Sequence, residues 1–305
     1  MIRHLLSDGS ATDVIGWLEE IGHDEIGISP GVGSSLSIRR DRVITARRAP
    51  AAAGGGPPLR VAAEDLEQAA LTGWLAEHAA LGEWTLRAGG GFTGRANSCL
   101  AVGDPGCDVA DAAEVIVSWS AEHGIEPRAQ VIAGSSADRA LIELGWRQTY
   151  VTTDVMVARL AGFLGSDLPS PEVRVTETFE ASWLAAYHRS RPNDADPAIL
   201  ELILAGNPPR AFASFGPAEP TAIARGHVSG PWLGLAAIWV APERRRHGLA
   251  TAMMRALGHW GARRGARWVY LQVAAANTTA VAAYERLGFQ RHHAYRYVRP
   301  ASTAR

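Results

Sequence analysis

The stretch from Trp232 to Trp260 constrains the fold most: a largely apolar run, WLGLAAIWV, then APERRRHG, then LATAMMRALGHW. A short apolar run closed by a proline reads as a buried strand. Beyond it, Leu249, Ala252, Met253, Ala256, Leu257 and Trp260 fall at i, i+3, i+4, i+7, i+8 and i+11, one apolar face of a helix. The chain must turn from strand to helix between them, and it loads three arginines and Gly248 onto that turn. Free backbone N–H groups at a helix start, with the positive end of the helix dipole, attract phosphate oxygens. Gly248 would let a ligand approach the backbone, and Ala250 keeps the first turn narrow. Alone, this R-x-x-G-x-A spacing is either an anion-binding turn or a solvated charged loop.

Residues downstream decide between the two. Asn277 and Tyr284 lie seven apart, so a helix beginning near Asn277 carries both along one side. Asn277 can cap that helix, and Tyr284 can offer a phenolic proton.

The chain also repeats itself. GSSADRALIELGW, Gly134 to Trp146, aligns without a gap on NTTAVAAYERLGF, Asn277 to Phe289. The pairs Ala137/Ala280, Ala140/Ala283, Leu144/Leu287 and Gly145/Gly288 are identical. A helix-like segment and a short strand precede each copy, and a β-rich tail follows, so the same half-fold is expected twice.

Two breaks in patterning organise the rest. Ala46 to Pro58 is rich in Ala, Gly and Pro, and Leu160 to Pro171 in Gly, Ser and Pro. They predict a small β-barrel over residues 1–50, a linker at 51–58, a middle unit at 59–160, a linker at 161–171 and a last unit at 172–305. The stretch YHRSRPNDADPAILELILAGNPP carries no readable pattern.

Composition excludes some classes. The 305 residues are 47% hydrophobic and 20% charged, a globular balance. Thirty basic residues, all arginine, meet 31 acidic ones, which leaves no footprint for general nucleic-acid binding. Cys99 and Cys107 match neither a disulfide framework nor a metal spacing, so no metal is expected. With no membrane-length apolar run and no long apolar core behind the N-terminal charge, the expected location is the cytoplasm.

VAPERRRHGLATAMM, the strand WVYLQV and NTTAVAAYERLGF together resemble the GCN5-related N-acetyltransferases, over about seventy residues. Arg245, Gly248 and Ala250, then Asn277, Ala280, Tyr284, Gly288 and Phe289, carry the match. The leader, with GEWTLRAGGGFTGRANS, more loosely resembles an actinobacterial histone-acetyltransferase-like subgroup with an N-terminal SH3-like barrel.

The resemblance implies an α/β acyl-CoA N-acyltransferase fold: a mixed, mostly antiparallel sheet with flanking helices, in tandem halves of which the first is degenerate. It implies acetyl-CoA as donor, an amine as acceptor and direct attack without a covalent enzyme intermediate. The pantetheine arm would run beside Ile238, Trp239 and Val240. The pyrophosphate would sit on Arg245, Arg246, His247, Gly248, Leu249, Ala250 and Thr251. Asn277 would hold the cofactor arm or order a water, and Tyr284 would protonate the departing thiolate. A backbone N–H at Ile238 or its neighbour would face the developing oxyanion. Glu243, His227, His188 and Asp194 are base candidates by location alone, and none is assigned.

The middle unit departs from the pattern. It has Gly134 opposite Asn277, Leu141 opposite Tyr284, and Asp104 and Asp108 where the turn should be basic. Acidic groups there would repel a pyrophosphate. RAGGGFTGRANS reads as a glycine-rich hairpin, not a phosphate loop, because neither a lysine nor a helix pattern follows it. The alternative to an enzyme is a CoA-sensing or partner-binding protein that uses the SH3-like leader.

Overall fold

The computed structural model describes residues 2–15, 17–31, 34–46, 58–74, 77–165, 172–178, 180–192, 196–216 and 218–301. The chain forms two compact units, Met1–Pro57 and Pro58–Arg305.

In the first unit, β1 (Ile2–Leu5), β2 (Ala11–Val14), β3 (Trp17–Ile21), β4 (Glu25–Gly31), β5 (Ser34–Arg39) and β6 (Val43–Ala46) form two antiparallel sheets, β2-β1-β6 and β3-β4-β5. Alternation along the strands turns Ile2, Ile28 and Ile38 inward, where Val14, Ile26 and Val43 pack against them. The stretch expected as a small β-barrel thus forms two three-stranded sheets. They share isoleucine side chains, and among the described residues no backbone ladder joins them.

The second unit runs α1 (Ala63–Leu71), β7 (Glu77–Leu81), β8 (Trp84–Ala88), β9 (Cys99–Leu100), α2 (Val109–Glu122), β10 (Ala129–Ile132), α3 (Ser136–Glu143), β11 (Arg147–Gln148), β12 (Thr153–Arg159) and α4 (Leu160–Leu164). It continues through β13 (Val173–Thr176), α5 (Ala181–Ser190), α6 (Pro197–Ala205), β14 (Arg210–Phe215), β15 (Ala222–Ser229), β16 (Trp232–Val240), α7 (Leu249–Arg263), β17 (Trp268–Ala274), α8 (Thr278–Arg286) and β18 (Gln290–Arg299).

Its strands make one sheet in the order β13-β14-β15-β16-β17-β12-β18-β10-β9-β8-β7, with β11 beside β18. Only β9/β10 and β16/β17 pair in parallel, so the sheet is mixed and mostly antiparallel. β12 inserts between β17 and β18, and β18 in turn reaches β10 and β11. Each repeated segment thus completes its sheet on a strand that follows the other copy.

The repeat is visible in backbone detail. Trp146 N–H donates to Leu141 C=O at 3.0 Å, and Phe289 N–H to Tyr284 C=O at 3.1 Å. Gly145 and Gly288 both have φ of 87°, the left-handed residue that a helix-ending turn of this kind requires.

One sheet face is apolar. Met253, Leu257 and Trp260 of α7 bury against it, as do Ile116 of α2 and Leu141 of α3. Each such side chain contributes about 1.5–3 kcal/mol. The other face, under α1, α5 and α6, carries a buried polar row. Glu67 accepts from Gln130 Nε2 at 2.6 Å and lies 2.9 Å from His293 Nε2, while Gln130 Oε1 accepts from Arg87 at 2.9 Å.

Two sequence expectations differ here. α4 occupies the start of the stretch read as a second linker, and Leu160, Phe163 and Leu164 are buried on α7's side of the core; residues 166–171 lie outside the described residues. The unpatterned stretch contains α6, which opens with Asp196 accepting from Ala198 N–H at 2.8 Å and with a proline at its first turn. Its ILELILA is apolar on nearly every side, so no helical period shows. The first linker, except for buried Pro58, lies outside the described residues.

Candidate functional site

β16 does two things at once. Its first half pairs with β17 from Trp232/Trp268 to Leu235/Leu271, and there the pairing stops. On its other edge it follows β15 to the end, Val240 opposite Ala222, with a register shift between Ile223 and Arg225. Ala237 sits in that bulge with φ of 53°, a left-handed conformation that costs a residue with a Cβ about 1 kcal/mol or more. The bulge bends β16 away from β17, so the β17-facing edge of Ala236–Val240 is left without a ladder partner. Ile238 and Val240 pack toward α7 and α8, whereas Ala236, Ala237 and Trp239 face α5 and α6.

The strand then enters the arginine turn. Arg245 Nε donates to Val240 C=O at 3.2 Å, and His247 Nδ1 lies 2.7 Å from Arg245 C=O. Arg244 lies over the Phe215 ring at 5.8 Å. Arg246 and Gly248 have φ of 65° and 76°, and a Cβ on Gly248 would meet nothing within 4 Å. Gly248 starts α7, and among the described residues no side chain caps it, so the first-turn N–H groups of Leu249, Ala250 and Thr251 lack an intrahelical or side-chain partner. An exposed rim from Glu243 to His247 therefore adjoins a helix start whose donors are unspent.

Asn277 caps α8, accepting from Ala280 N–H at 3.2 Å. Tyr284 is half-buried, 6.0 Å from the Phe289 ring, and packs on the same core cluster as Ile238, Val240 and Ala252. Burial pushes its phenol above the ordinary tyrosine value, against the pull of Arg191. It is therefore protonated throughout the neutral range.

The base candidates do not converge. Glu243 is exposed and His188 half-buried, Asp194 lies outside the described residues, and His227 is 4% exposed. Burial, with Arg225 and Arg210 nearby, lowers His227 to about 4. Cys99 is buried and its thiol is pushed up to about 12, which suits a packed side chain and not a nucleophile. Among the described residues no group of His, Cys, Asp or Glu is placed to hold a metal ion, and no helix is long and apolar enough to cross a membrane.

The bulge at Ala237 and the buried Arg225 escaped the sequence reading. Only an arginine standing alone in the apolar run TAIARGH signalled the second.

A family model described as "Probable histone acetyltransferase Rv0428c C-terminal" matches residues 62–298. The chain belongs to that family. It is accordingly an acyltransferase, and the match spans the whole sheet from α1 to the last strand. No curated protein matches the chain by sequence.

Among solved structures, it is similar to a GCN5-related N-acetyltransferase from Kribbella flavida at 16% identity and a TM-score of 0.58, over 80% of this chain and 98% of the other. A functionally unknown conserved protein from Staphylococcus epidermidis gives 11% identity and 0.53, over 79% and 97%. A structure described as a "Putative Acetyltransferase from the GNAT family" from Novosphingobium aromaticivorans gives 16% and 0.49, over 74% and 92%. At these identities the likeness concerns the fold, an acyltransferase sheet with flanking helices.

Proposed function

We propose that this family member transfers the acetyl group of acetyl-CoA to a primary amine of a small molecule or protein by direct attack in a ternary complex. The observation that carries the reading is the parting of β16 from β17 after Leu235, directly before an arginine-rimmed helix start. Chain and donor fit chemically: an unpaired strand edge suits the amide-bearing pantetheine arm, and open N–H groups with arginines suit a pyrophosphate.

When bound, acetyl-CoA supplies an activated thioester, so that the amine nitrogen bonds to the acetyl carbon as the carbon–sulfur bond breaks. Ile238, Trp239 and Val240 hold the arm along the free edge. Arg245, Arg246, His247, Gly248, Leu249, Ala250 and Thr251 hold the phosphates, and Asn277 orients the arm near α8. The Ile238 N–H stabilises the negative charge that develops on the carbonyl oxygen. Tyr284 gives its proton to the leaving sulfur as general acid, a role its raised pKa supports at neutral pH. The amine's own proton departs to solvent, since no base is assigned.

We read the Met1–Pro57 unit as an SH3-like module for a protein partner, supported by its two antiparallel sheets on a shared core. The cytoplasm remains our expectation, supported by two unpaired cysteines.

The test is thiol release from acetyl-CoA across polyamines, amino sugars, amino acids, aminoglycosides and Lys-rich or N-terminal peptides. At least one class should support turnover. Acetyl-CoA binding with silence across all of them would favour the CoA-sensing alternative.

A further inference from the structure

The polar face of the sheet gathers positive charge that nothing neutralises. Arg225 is 1% exposed, with Nε donating to Leu204 C=O at 2.7 Å and Nη2 to Gly73 C=O at 2.6 Å. Arg95, from the glycine-rich loop, joins it: the two guanidinium carbons lie 5.0 Å and 4.8 Å from the centre of the same Trp74 ring. The Nε groups of Arg95 and of neighbouring Arg210 are buried and unpartnered. No carboxylate ion-pairs with Arg95, Arg210 or Arg225 among the described residues.

Two backbone carbonyls would be served as well by a neutral amide side chain. A guanidinium there instead bears a desolvation cost that its two carbonyl bonds and the Trp74 ring offset in part and a bound anion would offset further. Burial pulls Arg225 down to about 10, so it still carries its charge at neutral pH. His227 beside it is neutral and supplies no counter-charge. The chain makes room for the group: a Cβ on Gly206 would come within 2.5 Å of Arg225 Nη2.

The cluster's place gives it a use. Arg225 is in register with Ala236, the residue before the bulge, one strand spacing from where β16 and β17 part. Around it, Trp74, Tyr187, Phe212 and Ile203 form an apolar wall that also meets Ala236 and Trp239. The glycine-rich loop that brings in Arg95 is wound about its own Asn97, which accepts from Gly89 and Gly91 N–H at 2.8 Å each. That loop is a rigid support and not a phosphate cradle.

We propose that the acceptor amine belongs to a molecule bearing a carboxylate, and that Arg225 and Arg95 beside Trp74 bind that carboxylate while the amine faces the parting strands. This rests on the acetyl-transfer reading above. The spare donors number few, which suits a carboxylate's two oxygens better than a phosphate's three.

The test compares kcat/KM for amino acids, the matching amino-acid amides, phosphoethanolamine and spermidine, in the wild type, Arg225→Gln and Arg95→Gln. The free acids should exceed their amides by about tenfold or more, and both variants should erase that preference. Arg95→Gln guards against a folding defect in the more buried site. Equal rates for acids and amides, or a preference for spermidine or phosphoethanolamine, would overturn the proposal.

A calorimetric titration of N-acetyl amino acids and their amides against the protein with CoA reads the cluster without turnover. Binding of acids alone, lost in Arg225→Gln, supports it even if no amine in the set reacts, and absent or equal binding overturns it. Failure to bind acetyl-CoA would sink the transfer reading separately.

Discussion

The turn after β9 and the turn after β16 stand at matching points of the repeated half-fold, between a parallel-paired strand and a helix, and their backbone donors are used in opposite ways. After β9, Asp104 N–H donates to Glu83 Oε2 at 2.7 Å and Gly106 N–H to Asp104 Oδ1 at 2.8 Å. The chain's own carboxylates occupy the turn. A cavity of about 400 Å³ does open there, but Glu64, Glu83 and Asp104 line it. After β16, three arginines rim a helix start with its donors free. The same opening is acidic and self-satisfied in one half, basic and open in the other. Opposite Tyr284 stands Leu141, fully buried, so that position offers no proton donor. On the proposed reading, a duplicated scaffold keeps its packing while only one copy keeps the chemistry.

The comparison can be broken hardest at the level of folding. The two turns differ, but the strands are shared, because β12 and β18 each complete the other half's sheet. Residues 1–165 or 172–305 expressed alone should lack a cooperative unfolding transition, and co-expression should restore one. A stable, cooperative isolated half, seen by circular dichroism, would mean the shared strands are dispensable.

At the level of chemistry, Tyr284→Phe should lower kcat by about 100-fold with acetyl-CoA affinity within about twofold. The volume-conserving Leu141→Met in the other half should leave kcat unchanged. Because burial raises the Tyr284 pKa, the protonated donor persists through neutral pH, and the wild-type rate should lose this group's contribution only above the ordinary tyrosine range. A pH-rate profile falling earlier from this group would remove the assignment.

The smallest effect is expected at the rim. Arg246→Ala should weaken acetyl-CoA about three- to tenfold, more at low salt than at high, while Asp104→Ala in the other turn should change nothing. Equal losses in both variants, measured by calorimetry, would mean that the two turns share the ligand.

Much of the last unit was legible because its signals are local. The helix period from Leu249 to Trp260 and Asn277 as a cap each follow from neighbours in sequence. What escaped depends on distant parts of the chain. Ala237 looks ordinary inside WLGLAAIWV, and only pairing with β15 forces its left-handed turn. α6 hides in an apolar run where exposed Leu202 blurs the buried face of Leu200, Ile203 and Leu204. The exchange of β12 and β18 joins residues more than a hundred apart, beyond any local pattern. Arg225 makes sense only once Gly73, Trp74 and Gly206 are folded around it.

The central claim is that a single opening, the one after β16, takes acetyl-CoA. A calorimetric titration of acetyl-CoA into the full chain and into Gly248→Glu tests it most directly. One site per chain is expected, weakened by at least about 100-fold in the variant, where a carboxylate would meet the open helix start. Two sites in the wild type, or one site that survives Gly248→Glu, would contradict it.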